Sequence, residues 1–109
     1  MTNALEISVT ANSEKALFEA LHEVVLRYIA DSRVYSLTEI KGSRLSLSVV
    51  FNDLDNAAFV DDPVSEVCRI LAELASKLTI DTNCKLMDFN GNSVGRAIVE
   101  LRITPMPSF

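Results

Sequence analysis

The side chains with the most reactive chemistry are few and far apart. The chain of 109 residues holds one histidine, His22, and two cysteines, Cys68 and Cys84. A structural zinc site needs four nitrogen or sulfur ligands, and a cysteine nucleophile needs a histidine within hydrogen-bond reach. Nothing in the spacing of these residues predicts either arrangement. We therefore expect unbridged, buried thiols, a histidine at a surface or interface, no metal, no cofactor and no catalytic residue.

The densest polar cluster is an acidic loop at residues 52–62, which reads NDLDNAAFVDD. Carboxylates at alternating positions can bind calcium, but the central glycine and the final glutamate of an EF-hand loop are absent. Asp and Asn side chains also fold back onto local amides, which favours a purely structural role. The functional alternative is a partner-binding epitope with an apolar anchor inside a charged rim. Its candidate residues are Asp53, Asp55, Asn56, Phe59 and Asp61.

Fifteen acidic residues against ten basic ones leave a net charge of −5. The basic residues are spread singly along the chain, so the overall field repels phosphate backbones and direct nucleic-acid binding is disfavoured. The first ten residues lack the basic and apolar regions of a signal peptide, and no apolar run approaches the roughly 20 residues that span a bilayer. We expect a cytoplasmic protein without membrane contact.

The first half of the chain reads as strand, helix, strand and strand. Residues 5–10 alternate between apolar and polar, as in a strand with one buried face. A helix from Ser13 to Asp31 follows, and residues 34–40 and 45–51 read as two further strands. The short connection at residues 41–44 contains a glycine, which predicts a hairpin between antiparallel neighbours.

The apolar arc of the first helix is wider than one sheet face should cover. Beyond its core stripe, Phe18, Val25, Leu26 and Ile29 fall on one flank. Terminal segments or the mid-chain loop could fold over this flank, or it could form a dimer or partner interface. Phe18, His22, Leu26 and Ile29 are therefore further candidate partner-binding residues.

The second half begins with a well-marked helix from Pro63 to about Leu78. Proline suits the first helical position, Asp62 before it can cap the helix, and Glu66 is expected on its polar face. Strands at residues 84–89 and 97–103 then flank an Asn90-Gly91 hairpin turn.

The element order is thus β-α-β-β-α-β-β in one α+β domain. We expect a ferredoxin-like, mostly antiparallel sheet with two helices on one face; a symmetric sheet with two units related by a pseudo-twofold axis is the alternative. A ferredoxin-like layout also raises RNA recognition and acylphosphatase activity. RNA recognition is disfavoured because the outward strand positions of this chain carry no aromatic side chains. Acylphosphatase activity is disfavoured because the chain has no glycine-rich phosphate loop.

Two segments, DNAAFVDDPVSEVCRILAELASKL and LMDFNGNSVG, resemble a family of short proteins encoded by bacteriophages, prophages and other mobile elements. The resemblance spans about residues 45–104; it leaves residues 1–43 as an added β-α-β segment, next to a 44–104 β-α-β-β unit, and 105–109 as a short tail. Arg69 lies within the motif and is less fully explained by fold, so it joins the candidate partner-binding residues.

The resemblance implies a non-enzymatic accessory protein that binds a host or phage protein in the bacterial cytoplasm. The specific expectation is an inhibitor of a host defence system, similar in action to an anti-CRISPR protein. Two alternatives remain open from the residues: a regulatory dimer that binds a small molecule, and a virion or assembly component.

Overall fold

The residues that the structure describes form one five-stranded sheet and two helices, in the predicted order. The computed structural model describes residues 5–31, 36–40, 42, 44–54 and 57–101. The elements are β1 (Leu5–Ala11), α1 (Glu14–Ala30), β2 (Ser36–Ile40), β3 (Leu45–Phe51), a 3-10 turn (Ala57–Phe59), α2 (Pro63–Ser76), β4 (Asn83–Met87) and β5 (Ser93–Leu101). The predicted strand residues 34–35 and 102–103, and the tail at 105–109, lie outside the described residues.

The sheet is mixed, with strand order β2-β1-β3-β5-β4. β1 pairs with β2 in parallel, and every other neighbouring pair is antiparallel. In the second half β5 lies between β3 and β4, which are therefore parallel to each other, as in one split β-α-β unit of a ferredoxin-like sheet. In the first half β1 and β2 are direct neighbours. The α+β class is confirmed, whereas the ferredoxin-like strand order holds only for the second half.

The predicted hairpin between the second and third strands is wrong, because β1 lies between them. Ile40 ends β2 opposite Thr10, and Leu45 begins β3 opposite Ala11, so the connection crosses the end of β1. A β-carbon on Gly42 would lie only 2.8 Å from the backbone carbon of Ala11. The glycine therefore permits a close crossing of backbones rather than a hairpin turn.

Both helices cover the same face of the sheet. On that face Leu5, Ile7 and Val9 of β1 are fully buried, and so are the inward side chains of β3. The side chains between them, such as Ser8 and Ser48, point to an open face and are exposed. Alternation of period two therefore separates a packed face from a solvated one, as the sequence pattern predicts.

Both helices begin at capped residues. The Ser13 hydroxyl accepts a hydrogen bond from the Ala16 amide at 3.1 Å, and the Asp62 carboxylate accepts one from the Ser65 amide at 3.1 Å. These side chains satisfy amides that have no partner inside the helix. An ion pair between Arg27 and Glu39 ties the last turn of α1 to β2. The predicted helix starts are confirmed.

The crossing over β1 predicts a cost for any side chain at residue 42. We expect Gly42→Ala to lower the free energy of unfolding by about 1–3 kcal/mol, because the backbone of β1 must shift to admit a methyl group. Urea denaturation measures the loss, and Ser8→Ala on the open face serves as the control, with a change within about 0.5 kcal/mol. Equal stability of the two variants would contradict the close crossing.

Candidate partner-binding surface

The flank of α1 that the sequence singles out is exposed. Phe18, Leu26 and Ile29 are 46%, 52% and 53% exposed, and His22 between them is also exposed. With Val25, which is half-buried, they repeat at intervals of three and four residues and form one stripe along the helix. We call these five residues the α1 flank. The outward side of this stripe is left open by the described part of the chain, and the stripe contains all four α1 residues predicted from the sequence.

A groove of about 230 Å³ lies between the two helices, on the solvent side of their contact. From α1 it is lined by Phe18, His22 and Val25 of the flank. From α2 it is lined by Cys68, Ala72 and Ala75. The small α2 side chains leave a depression beside the larger α1 side chains. The α1 flank thus continues into a concave apolar surface. The helical period of α1 alone does not predict this groove, because α2 forms its other side.

The groove also brings His22 and Cys68 to one place, the pair that nucleophilic catalysis would require. Partial burial raises the pKa of the Cys68 thiol, and the nearby Asp62 carboxylate raises it further. A raised pKa keeps the thiol protonated and therefore weakly nucleophilic. No hydrogen bond joins the two side chains within the described residues, so the groove suits contact better than chemistry.

The acidic loop caps α2 at its end, through Asp62. Asp62 accepts hydrogen bonds from both the amide and the hydroxyl of Ser65, and these bonds lower the pKa of its carboxyl. Asp53 and Asp61 are exposed, and Asp55 and Asn56 lie outside the described residues. The loop presents carboxylates to solvent, but it has no exposed apolar centre formed by Phe59.

Phe59 is buried, with 3% of its surface exposed, at the end of the 3-10 turn. It belongs to the main apolar core together with Ala58 of the same turn. The prediction that Phe59 anchors a partner requires an exposed ring, and this requirement is not met, because the 3-10 turn places the ring in the core beside α2. Hydrophobic residues in a loop of this composition can serve either role, and the sequence carries no period that separates them.

Arg69, one of the motif residues that the sequence explained less fully by fold, has a structural explanation. Its Nε donates to Glu66 Oε1 at 2.6 Å, and its Nη2 donates to Glu66 Oε2 at 3.0 Å. Its Nη1 donates to Glu73 Oε2 at 3.2 Å, and Nη2 also donates to the carbonyl oxygen of Met87 at 3.3 Å. The guanidinium therefore connects two turns of α2 to the end of β4, and it lies apart from the α1 flank.

Glu66 is buried, although the helical pattern placed it on the polar face. Only 7% of it is exposed. Hydrogen bonding to Arg69 lowers the pKa of its carboxyl, and the amide of Phe89, which donates at 2.9 Å, lowers it further against the opposing effect of burial. Glu66 thus fixes α2 to the turn that follows β4. Phe89 lies 23 residues after Glu66 in the sequence. Because helical period considers only nearby residues, it did not predict the burial of Glu66.

The turn that follows β4 is itself organised by a buried aspartate. Burial by itself would raise the pKa of the Asp88 carboxyl, but hydrogen bonds from Asn92, Asn90 and Gly91 outweigh burial and lower it. Its Oδ1 accepts from the amides of Asn90 and Asn92 at 2.9 and 2.8 Å. Gly91 has a positive φ of 84°, which confirms the predicted role of the Asn-Gly pair in part.

The Glu66–Arg69 contact predicts an acid-sensitive contribution to stability. Because the folded state lowers the pKa of Glu66 below its ordinary value of 4.5, the contribution is complete above that pH and is lost as the pH falls through the folded-state pKa. At pH 7 we expect Glu66→Gln to lower the free energy of unfolding by about 1–3 kcal/mol, because the Arg69 guanidinium and the Phe89 amide lose a buried, charged acceptor. Urea denaturation between pH 7 and pH 3 should show this difference shrinking.

Glu73→Gln is the matched control, since Glu73 also accepts from Arg69 but is exposed. We expect it to change stability by less than about 1 kcal/mol. A difference between wild type and Glu66→Gln that stays constant with pH would contradict the assigned ionisation.

Comparison of the chain with known proteins identifies no relative. No family model matches the chain, and neither the curated proteins nor the solved structures yield a match. Among the described residues, no group of three or more His, Cys, Asp or Glu side chains is placed to hold a metal ion. The described helices include none with the length and apolar character that a membrane crossing requires.

Proposed function

We propose that the chain is a non-enzymatic accessory protein that acts by binding another protein through the α1 flank and the adjoining groove. The observation that carries the proposal is the exposure of three large apolar side chains, Phe18, Leu26 and Ile29, each about half exposed on one stripe. Continuous apolar surface on a soluble domain marks an interaction site more often than scattered apolar residues do.

The shape of this surface favours a protein partner. A flat stripe with a shallow groove beside it allows an apolar or aromatic anchor to enter while the surrounding stripe excludes water. The rim supplies charge of both signs, with Glu19 and Lys15 exposed on α1. His22 lies inside the stripe and offers one polar contact that can fix orientation. Such an arrangement is typical of helix-face recognition.

The acidic loop is the weaker of the two candidate surfaces. Its exposed carboxylates Asp53 and Asp61 surround no aromatic anchor, because Phe59 is in the core, and the apolar side chain exposed beside them is the smaller Val60. Charges at a solvated rim contribute mostly to association rate and little to affinity. We assign the loop a secondary role, in which it attracts a basic surface of the partner.

A small-molecule site in the interhelical groove is the second candidate function. The groove is lined almost wholly by apolar side chains, which favours an apolar ligand. Its volume of about 230 Å³, however, lies below the roughly 300–1,000 Å³ that is typical of pockets for drug-sized ligands. The groove therefore suits one inserted side chain of a partner better than a free metabolite.

The partner that we propose is a host protein of a bacterial defence system, in keeping with the resemblance to mobile-element proteins. An inhibitor of this kind needs a stable fold and a binding face, and it needs no catalytic group. Cytoplasmic location and phage or mobile-element origin belong to the same proposal. A virion or assembly role would use the α1 flank as a contact between copies instead.

The binding face is tested by a pair of matched substitutions. We expect Ile29→Glu to reduce capture of the bacterial partner by at least about tenfold, because a charge is introduced within an apolar contact. Ile40→Glu makes the same chemical change at a side chain that is 79% exposed on the open face of the sheet. Quantitative mass spectrometry of proteins captured by each variant from a host lysate compares them.

Equal capture by the two variants would exclude the α1 flank as the binding face. Their thermal unfolding should be alike, because both replace an exposed side chain. A strict monomer that captures nothing from any tested host would contradict the binding proposal itself.

The defence role is tested in cells. A bacterium with active CRISPR-Cas immunity that expresses the chain should again allow plaques of a targeted phage, and expression of Ile29→Glu should not. Full immunity in the presence of the wild-type chain would refute inhibition of that system, while leaving the binding face to the capture experiment.

A further inference from the structure

The outer edge of β4 presents unpaired backbone groups. The amide of Val99 donates to the carbonyl of Thr82 at 2.8 Å, which makes these two residues a hydrogen-bonded pair. In an antiparallel ladder such pairs alternate, so Cys84 and Leu86 also bond to β5. The amides and carbonyls of Asn83 and Lys85 therefore point away from the sheet.

One end of this edge is already closed. The carbonyl of Met87, the next outward-facing residue, accepts from Arg69. The remaining open edge consists of Asn83 and Lys85, with the Met87 amide at its end. The open edge of a sheet is a template for an added strand. Here the amides and carbonyls of Asn83 and Lys85, with the Met87 amide, offer the main hydrogen bonds to such a strand.

Two cations face each other beside this edge. Lys85 of β4 lies directly opposite Arg96 of β5, and both side chains lie on the open face of the sheet. Arg96 donates to the side-chain oxygen of Asn83 at 2.8 and 3.1 Å. Within the described ranges, neither cation is paired with a carboxylate. Like charges at directly opposed positions are destabilising, so this pair favours an added negative charge.

The other side of the same edge carries a small cavity whose lining is partly apolar and partly charged. A cavity of about 40 Å³ lies between α2 and β4, and Ile70, Leu74 and Leu86 contribute to its lining. One water requires about 10–15 Å³ in this measure, so the space suits the end of one aliphatic side chain. Glu73 and Lys77 form its rim. They are paired with each other at 3.6 Å, so the rim adds little net charge.

We propose that the edge of β4 binds an extended peptide of a partner protein, in which an acidic residue has an aliphatic neighbour. The acidic residue pairs with Lys85 in the hydrogen-bonded position and lies beside both cations. Successive side chains of a strand alternate between faces, so its neighbour points to the helix side and enters the cavity against α2. The site is separate from the α1 flank and does not depend on the proposed function.

A second copy of the chain fits this edge poorly. The antiparallel register that pairs all five residues of β4 with those of its copy places Lys85 opposite the same lysine. That adds a third and a fourth cation to a cluster that lacks an anion. The charge pattern thus favours an acidic peptide over self-association.

The test uses two blocked seven-residue peptides and the isotope-labelled full chain. The first has the sequence Thr-Thr-Val-Glu-Val-Thr-Ser, and the second has lysine in place of glutamate. We expect the acidic peptide to shift the amide signals of residues 83–87 with a Kd below about 1 mM, and to bind about tenfold more tightly than the basic peptide. This comparison needs no variant of the chain.

Two changes then separate strand addition from simple charge attraction. Methylation of the glutamate amide nitrogen in the peptide removes the donor to the Lys85 carbonyl and should abolish binding. Lys85→Glu should reverse the preference between the two peptides, whereas Lys15→Glu, the same charge change at the start of α1, should leave it intact.

The proposal is overturned if neither peptide binds, or if the shifted signals lie away from β4. A preference that survives Lys85→Glu, or binding that tolerates the methylated nitrogen, also overturns it. So does a dimer of the free chain that is joined through β4.

Discussion

One constraint shapes this protein: two helices must cover one face of a five-stranded sheet. The central strands β1, β3 and β5 are covered well, as the complete burial of Ile7, Leu47 and Ala97 shows. The two edge strands and the outer sides of the helices receive less cover. This incomplete coverage explains three features: the apolar groove between α1 and α2, the exposed α1 flank and the open edge of β4. Each place where surface remains available for a partner is a place where the covering layer ends.

Polar contacts hold the covering layer in place at its margins. Arg27 and Glu39 attach α1 to β2, while Arg69 attaches α2 to the end of β4 and Glu66 attaches it to the turn that follows. The Glu66 contact is the more consequential, because its carboxylate is buried and receives both the guanidinium and the Phe89 amide. Displacing α2 would leave this buried carboxylate without its donors, and an unsatisfied buried charge is costly.

Local signals predicted most of the fold. Capping residues, period-two alternation and the Asn-Gly pair located both helices, β3 and the last turn, because each depends on neighbours within a few residues. Such local signals do not determine strand order. The connection that contains Gly42 is short enough for a hairpin, and only its close approach to Ala11 shows that it crosses β1 instead. The exposed α1 flank followed from helical period, but the inward turn of Phe59 and the burial of Glu66 depend on contacts distant in sequence.

The central claim is that a partner protein occupies the α1 flank. The most direct measurement is photocrosslinking in bacterial cells, with p-benzoylphenylalanine placed at His22 in one variant and at Thr38, on the open face of the sheet, in another. Because His22 lies within the stripe and beside the groove, the account predicts a discrete crosslinked product that contains a different protein at His22 and none at Thr38. Products of equal yield at both positions, or none at His22, would contradict it.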